Sequence, residues 1–233
     1  SSGHAYLSWA LWSVGQQAEA RSQLALAEQS DPAGVTTVGV RALIAIGSGQ
    51  ANDALNTLHL WMANHNPTPA LWSVVAAAAL AAHDAASAET ALWSLATTAS
   101  ADDRPQAVLM LADFYLATGT GPSSGLGRTD GRADWAIATM RALNPASAQA
   151  ADLAGQWDEQ AGRADVALAD YQRAIALDPR FALAHAHLGA LEFHCGDLTA
   201  AQLELERAAD LDASGAATPI IGPLLAILGD GRA

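Results

Sequence analysis

The stretch that decides the fold is residues 162–179, which read GRADVALADYQRAIALDP. Its marked positions are Gly162, Ala167, Tyr171, Ala174 and Pro179. A shift of 34 residues leads to Gly196, Ala201, Leu205, Ala208 and Ala213. Self-similarity at a fixed period of about 20–50 residues is the sequence signature of repeat architectures. The pattern therefore predicts a repeat array.

The same interval of 34 residues organises the N-terminal half of the chain. There the marked positions are Gly15, Ala20, Leu24, Ala27 and Pro32, then Gly49, Ala54, Leu58, Trp61 and Asn66, then His83, Ala88, Leu92, Leu95 and Ser100. Each repeat also has a small residue some residues before its glycine position. These small residues form a second column: Ser8, Ala42, Ala76, Ala112, Gly155 and Gly189. The repeat thus extends over nearly the whole sequence.

These columns resemble the tetratricopeptide repeat, a helix–turn–helix unit of about 34 residues. In that family a small residue in the first helix lets the second helix cross closely, and an alanine of the second helix occupies the tightest contact. The resemblance implies that the small-residue column forms the crossings and that the tight alanines are Ala20, Ala54, Ala88, Ala167 and Ala201. The implied fold is all-α, a right-handed superhelical solenoid of about six units plus an extra C-terminal helix.

We predict one solenoid domain over residues 1–233, with units at 1–34, 35–68, 69–104, 105–147, 148–181 and 182–215, and a partial seventh unit at 216–233. The fourth unit is longer because residues 118–132, rich in glycine, serine and proline, form an inserted loop. Its second helix is predicted from Ala133 to Leu143. Asp158 replaces the aromatic residue that the family has in the fifth unit, so looser packing is expected there.

Composition excludes several classes of function. All eleven basic residues are arginine, so lysine-based chemistry, including a Walker lysine, is ruled out. The formal net charge of −13 argues against a nucleic-acid partner and favours basic or apolar protein partners. Cys195 is the single cysteine, which excludes an internal disulfide. We expect no cofactor, no metal and no catalytic residues.

No membrane span is expected, because the sequence contains no run of eighteen apolar residues. No signal-peptide pattern opens the sequence. Cytosolic and periplasmic proteins can both have this few cysteines, so the compartment stays open.

The resemblance implies a concave groove lined by the first helix of each unit. At the N-terminal end this wall is apolar and aromatic, and its residues are Trp9, Trp12, Leu43, Ile46 and Leu80. Toward the C-terminal half it becomes acidic and rich in amides, and its residues are Asp113, Asp152, Gln156, Glu159, Gln160, Phe193 and His194. We expect a peptide or partner protein in this groove, with apolar side chains near the tryptophans and basic ones near Asp152 and Glu159.

Alternative interpretations stay open. Trp9 and Trp12 could instead pack against a preceding repeat, and the polar residues could simply be solvated. The chain is interpreted as a non-enzymatic interaction scaffold. It would be one part of a larger bacterial assembly that serves, for example, secretion, exopolysaccharide export or pilus assembly. Other interpretations are a substrate-recruiting or regulatory arm of an enzyme, and a self-assembling oligomer.

The C-terminal segment carries a surface of its own. Ile220, Ile221, Leu224, Leu225, Ile227 and Leu228 spread around most of the circumference of a predicted helix from Pro219 to Gly229. The outer side of a terminal solenoid helix should be polar. We therefore expect either that the polypeptide continues past Ala233 or that this surface supports a homodimer.

Other patterns are assigned no chemistry. Residues Gly121–Gly125 match the G-x-S-x-G hydrolase pattern, but a helix rather than a strand precedes them. His187 and His194 are seven residues apart, whereas helical metal-binding pairs are about three or four apart. Cys195 is predicted to face the interior of its hairpin, and Asp130-Gly131 lacks the further ligands of a calcium loop.

Overall fold

The computed structural model describes residues 2–119 and 131–230, and within them it contains thirteen α-helices and no strand. The helices are α1 (Ser2–Ser13), α2 (Gln17–Ser30), α3 (Val35–Gly47), α4 (Ala51–Met62), α5 (Pro69–Ala81), α6 (Ala85–Thr98), α7 (Arg104–Ala117), α8 (Arg132–Leu143), α9 (Ala148–Gln160), α10 (Ala164–Leu177), α11 (Ala182–Cys195), α12 (Leu198–Leu211) and α13 (Thr218–Asp230). No helix in the described ranges combines the length and hydropathy that a membrane crossing needs. The prediction of an all-α helical repeat fold is confirmed.

The chain divides into two compact units, Ser1–Ala107 and Val108–Ala233, with the boundary inside α7. In the first unit, α1 packs on α2, α3 on α4 and α5 on α6. In the second unit, α9 packs on α10 and α11 on α12. First helices also contact one another within each unit, α1 with α3, α3 with α5, and α9 with α11. This is the pattern of stacked helical hairpins.

The residues predicted to form the helix crossings are buried. Every residue of the small-residue column is buried: Ser8, Ala42, Ala76, Ala112, Gly155 and Gly189. So is every predicted tight alanine: Ala20, Ala54, Ala88, Ala167 and Ala201. At the first crossing the Ser8 hydroxyl also donates a 2.7 Å hydrogen bond to the Ala20 carbonyl. A small side chain at each crossing lets the helices of a hairpin approach closely.

The turns inside the hairpins need a left-handed backbone residue. Gly49, for example, has a φ of 79° and Gly196 one of 86°. In the third hairpin this position is His83, with a φ of 57°. His83 is the one non-glycine residue with positive φ in the described ranges. Because its Cβ atom disfavours this conformation, His83 is a strained substitute for glycine.

The second helix of the fourth hairpin begins at Arg132 and ends at Leu143, close to its predicted bounds. Residues 120–130, most of the predicted inserted loop, lie outside the described residues. They include the hydrolase-like Gly121–Gly125 segment and Asp130. Residues 231–233 at the C-terminal end also lie outside the described ranges.

Helix α13 packs on both α11 and α12. Ile221 and Leu228 are buried in a cluster that also holds Leu205 and Ala217, and Ile220, Leu224 and Leu225 pack against this cluster. Ile227 is 56% exposed. Most of the apolar residues expected to cover α13 on all sides therefore pack against the preceding hairpin, α11 and α12.

Candidate partner-binding face

The first helix of the fifth hairpin, α9, carries the largest group of predicted site residues. It begins after Ser147, whose hydroxyl accepts a 3.2 Å hydrogen bond from the Ala150 amide, as an N-cap residue does. Asp152, Gln156 and Glu159 follow at intervals of four and three residues. Side chains with this spacing lie in a row along one helix face.

Asp152 lies deeper than predicted. It is only 3% exposed, and its Oδ1 atom lies within hydrogen-bond distance of His187 Nδ1, at 2.8 Å. Its Oδ2 atom accepts from the Gln156 side-chain amide at 2.9 Å. Both oxygens are therefore engaged inside the protein, and Asp152 does not offer its charge to a basic partner as the sequence suggested. Asp152 instead joins α9 to α11.

Tyr171 of α10 lies beneath the same face. Its hydroxyl donates a 2.8 Å hydrogen bond to the Glu159 carboxylate. Its ring stacks on His187, with ring centroids 5.6 Å apart and planes inclined by 28°. Burial, and after it the nearby Glu159 carboxylate, raises the pKa of Tyr171 far above its usual range. Tyr171 thus remains a neutral phenol that holds Glu159 in place.

These contacts assemble three partly exposed polar side chains, Gln156, Glu159 and His187, which we call the α9–α11 polar face. Gln160 is exposed at the end of α9, next to this face. Each member of the face is bonded to or stacked on Asp152 or Tyr171. Polar groups that are already held in position lose less entropy when a partner binds.

An ion cluster centred on Asp158 supports α9 from its other side. Asp158 is 1% exposed, and its carboxylate binds Arg141 of α8 and Arg163 of the turn before α10. Arg141 also binds Asp170 of α10, with its Nη2 atom 2.7 Å from the Asp170 oxygen. Burial raises the pKa of Asp170, and Arg141 opposes that shift. The expected loose packing at Asp158 is therefore replaced by ion pairs that join three helices.

In the first unit, the predicted groove residues differ in exposure. Trp9 is 38% exposed on α1. Trp12 is partly buried and packs against the cluster that contains Ala5 and Ile44. Leu43 and Ile46 of α3 are also partly exposed. Trp9 is thus the most accessible of the four, whereas Trp12 helps to join α1 to α3.

The remaining predicted residues lie apart from the α9–α11 polar face. Asp113 is exposed on α7, and desolvation raises its pKa. Phe193 packs against the cluster formed with α13, and His194 is exposed at the end of α11 with its ring at the edge of Phe193. Cys195 is exposed, so the prediction that it faces the hairpin interior is wrong.

Two of the three histidines of α11 lie within hydrogen-bond distance of carboxylates. His185 is buried, and its Nδ1 atom lies 2.6 Å from a Glu204 oxygen, while His187 faces Asp152. In residues 2–119 and 131–230, no three histidine, cysteine, aspartate or glutamate side chains are placed to share a metal ion.

Sequence reasoning missed His187 and Tyr171 as parts of the face. His187 follows Asp152 by 35 residues, one more than the repeat interval. A polar pair at this separation connects equivalent helices of successive hairpins, and that signal could have identified His187. Tyr171 was assigned only to an aromatic column of the repeat, because periodicity does not show which group its hydroxyl hydrogen-bonds.

No family model matches the sequence, and no curated protein matches it. Among solved structures, the chain is similar to a tetratricopeptide repeat protein from Parabacteroides merdae, with 14% sequence identity and a TM-score of 0.73 over 95% of this chain and 84% of that one. It is also similar to MamA from Desulfovibrio magneticus RS-1, with 18% identity and a TM-score of 0.62 over 78% of this chain and 97% of that one.

A third similar structure is YrrB, described as a tetratricopeptide repeat protein with an unusual peptide-binding site. Its identity is 13% and its TM-score 0.60, over 83% of this chain and 94% of that one. At identities this low, the similarity shows the fold. The buried crossings at Gly155 and Gly189 and the 34-residue interval agree with it. The chain therefore has the tetratricopeptide repeat fold.

Proposed function

We propose that the chain is a non-enzymatic interaction scaffold and that its α9–α11 polar face binds a basic segment of a partner protein. The observation that carries this proposal is the fixed Glu159 carboxylate. Tyr171 holds it by a 2.8 Å hydrogen bond, and it remains partly exposed beside Gln156 and His187. A pre-positioned carboxylate pairs well with an arginine or lysine side chain, because little ordering is needed on this side of the contact.

Charge supports the choice of partner. The formal net charge of −13 attracts basic segments over the screening distance of about 8–10 Å at ordinary salt. Gln156 offers an amide oxygen as an acceptor besides its bond to Asp152. Of the structures that resemble this chain, YrrB is described as having a peptide-binding site, and a peptide is the ligand we propose here.

We propose a separate apolar contact surface in the first unit, built around Trp9 with Leu43 and Ile46. Trp9 exposes over a third of its surface, and aromatic side chains are enriched among the residues that dominate binding energy. An apolar side chain of a partner would cover it.

The test uses a set of fluorescent peptides that carry arginine at varied spacing, measured by polarisation against the parent chain. For the tightest binder, Glu159→Gln should weaken affinity by about fivefold, or roughly 1 kcal/mol. The matched control is Asp210→Asn, which removes the same charge from an exposed position on α12. We expect this control to stay within about twofold of the parent. If both variants weaken binding equally, only the overall charge matters, and the proposed face is not the site.

Self-association is a second proposal, and it rests on the exposure of Ile227 at 56% on α13. An isoleucine this exposed can be covered by a second copy of the chain. Light scattering over a concentration series tests it. A dimer that Ile227→Asp abolishes supports the proposal, and a parent chain that stays monomeric contradicts it.

A further inference from the structure

The contacts of His187 fix the position of its proton. Asp152 Oδ1 lies 2.8 Å from His187 Nδ1, and Asp152 Oδ2 accepts a hydrogen bond from the Gln156 amide. An ionised carboxylate can only accept hydrogen bonds, so the Nδ1 atom that faces it must carry the proton. In the neutral ring the Nε2 atom then holds a lone pair. A buried carboxylate that fixes a histidine tautomer also fixes what the other ring nitrogen can bind.

The Nε2 atom of His187 is not fully buried. The side chain is 18% exposed, and no hydrogen bond within the described residues occupies Nε2. In those residues Glu192 Oε2 is the one fully buried side-chain nitrogen or oxygen atom without a hydrogen-bond partner, so His187 Nε2 keeps some solvent-exposed surface. His185, two residues earlier, differs: it is 1% exposed, and both of its ring nitrogens face oxygens of the protein.

We propose that His187 is a specificity-determining residue of the α9–α11 polar face. Its Nε2 atom, on the ring opposite the nitrogen that faces Asp152, accepts a hydrogen bond from the basic partner segment. This inference rests on the proposed function, since it names what the same face recognises beside Glu159. A backbone amide or a guanidinium N–H of the partner supplies the donor.

The first test needs no partner. Long-range ¹H–¹⁵N spectra of the free chain distinguish the two neutral histidine tautomers. We expect His187 to carry its proton on Nδ1 in the parent. In the Asp152→Asn variant the new amide can donate to Nδ1, so the proton should move to Nε2. A parent His187 protonated on Nε2 overturns the inference, whatever the chain binds.

The second test measures the affinity for the arginine-bearing peptide. In His187→Asn the amide can still donate to Asp152, but no acceptor occupies the Nε2 position. This variant should bind about fivefold more weakly than the parent, or roughly 1 kcal/mol.

The control variant is His59→Asn, at an exposed position on α4 in the other unit, and it should bind the peptide as tightly as the parent does. The two proposals fail in different ways. A peptide whose binding needs Glu159 but is unchanged by His187→Asn overturns the role of His187 and leaves the proposed function standing. Binding that is indifferent to both residues overturns both.

Discussion

A Cβ atom built on Gly189 would lie 2.8 Å from the Cγ atom of Leu205 and 3.1 Å from the backbone oxygen of Ala201. The leucine side chain can move, but the Ala201 backbone cannot move without bending α12. Gly189→Ala should therefore lower the free energy of unfolding by about 1–3 kcal/mol, measured by urea denaturation.

Gly39 provides the matched control for this crossing. It lies inside α3, and a Cβ atom there would meet only the Leu71 side chain, at an ordinary 3.5 Å. Gly39→Ala should raise the free energy of unfolding by about 0.5–1 kcal/mol, because alanine favours helix more than glycine does. Equal effects of the two substitutions would contradict the assigned register.

His83 supplies a test of turn strain. Its φ of 57° is a conformation that glycine adopts without steric cost. His83→Gly should stabilise the chain by about 0.5–1 kcal/mol, whereas Gly49→Ala, at the equivalent turn with a φ of 79°, should destabilise it by about 1–2 kcal/mol. Thermal melting of both variants checks the pair. A lower melting temperature for His83→Gly would show that its side chain contributes more than its backbone costs.

Asp158 should contribute to stability through its two arginines. Its carboxylate is buried, whereas the Arg141 and Arg163 side chains are 40% and 49% exposed and can turn to water when the carboxylate is lost. We therefore expect Asp158→Asn to cost about 1–3 kcal/mol, less than the loss of a fully buried pair. Urea denaturation measures the cost. If the Asp158→Asn variant unfolds at the same urea concentration as the parent, the cluster has no stabilising role.

Glu192 should make stability depend on pH. Burial, and after it the nearby Glu204 and Asp197, raises the pKa of Glu192 in the folded chain. Its ionised form is thus disfavoured on folding at neutral pH, and that penalty disappears as pH falls below the unfolded pKa of about 4.3. Glu192→Gln should stabilise the chain by a few tenths of a kcal/mol at pH 7, because solvent screens this partly exposed group.

The gain from Glu192→Gln should vanish near pH 4. Urea denaturation at several pH values provides the measurement, with the exposed Glu206→Gln as the control. A gain that is the same at both pH values would mean that the charge of Glu192 is not the cause.

The sequence predicted the hairpin crossings well because they obey one local rule, a small residue at a fixed interval. Gly155 and Gly189 could be located in this way without any structure. The depth at which a side chain is buried followed no such rule. The register placed Asp152 on a helix face, but its burial depends on His187, which lies 35 residues away on another helix.

The same limit explains Asp158 and Cys195. Asp158 was recognised as a departure from the family's aromatic residue, but its partner Arg141 lies 17 residues away, in the preceding, irregular hairpin. Cys195 is the last residue of α11. At a helix end, small changes in where the helix stops decide between the interior and solvent, and periodicity does not fix that point.

The exposed Cys195 has a practical consequence. It is the single thiol of the 233 residues, so a maleimide dye would label one known position at the end of α11 in the unmodified sequence. Fluorescence from that dye would report directly on events near the end of this helix. The same accessibility allows two chains to oxidise into a covalent pair in air. The amount of reducing agent in the buffer thus decides whether a solution experiment observes one chain or two.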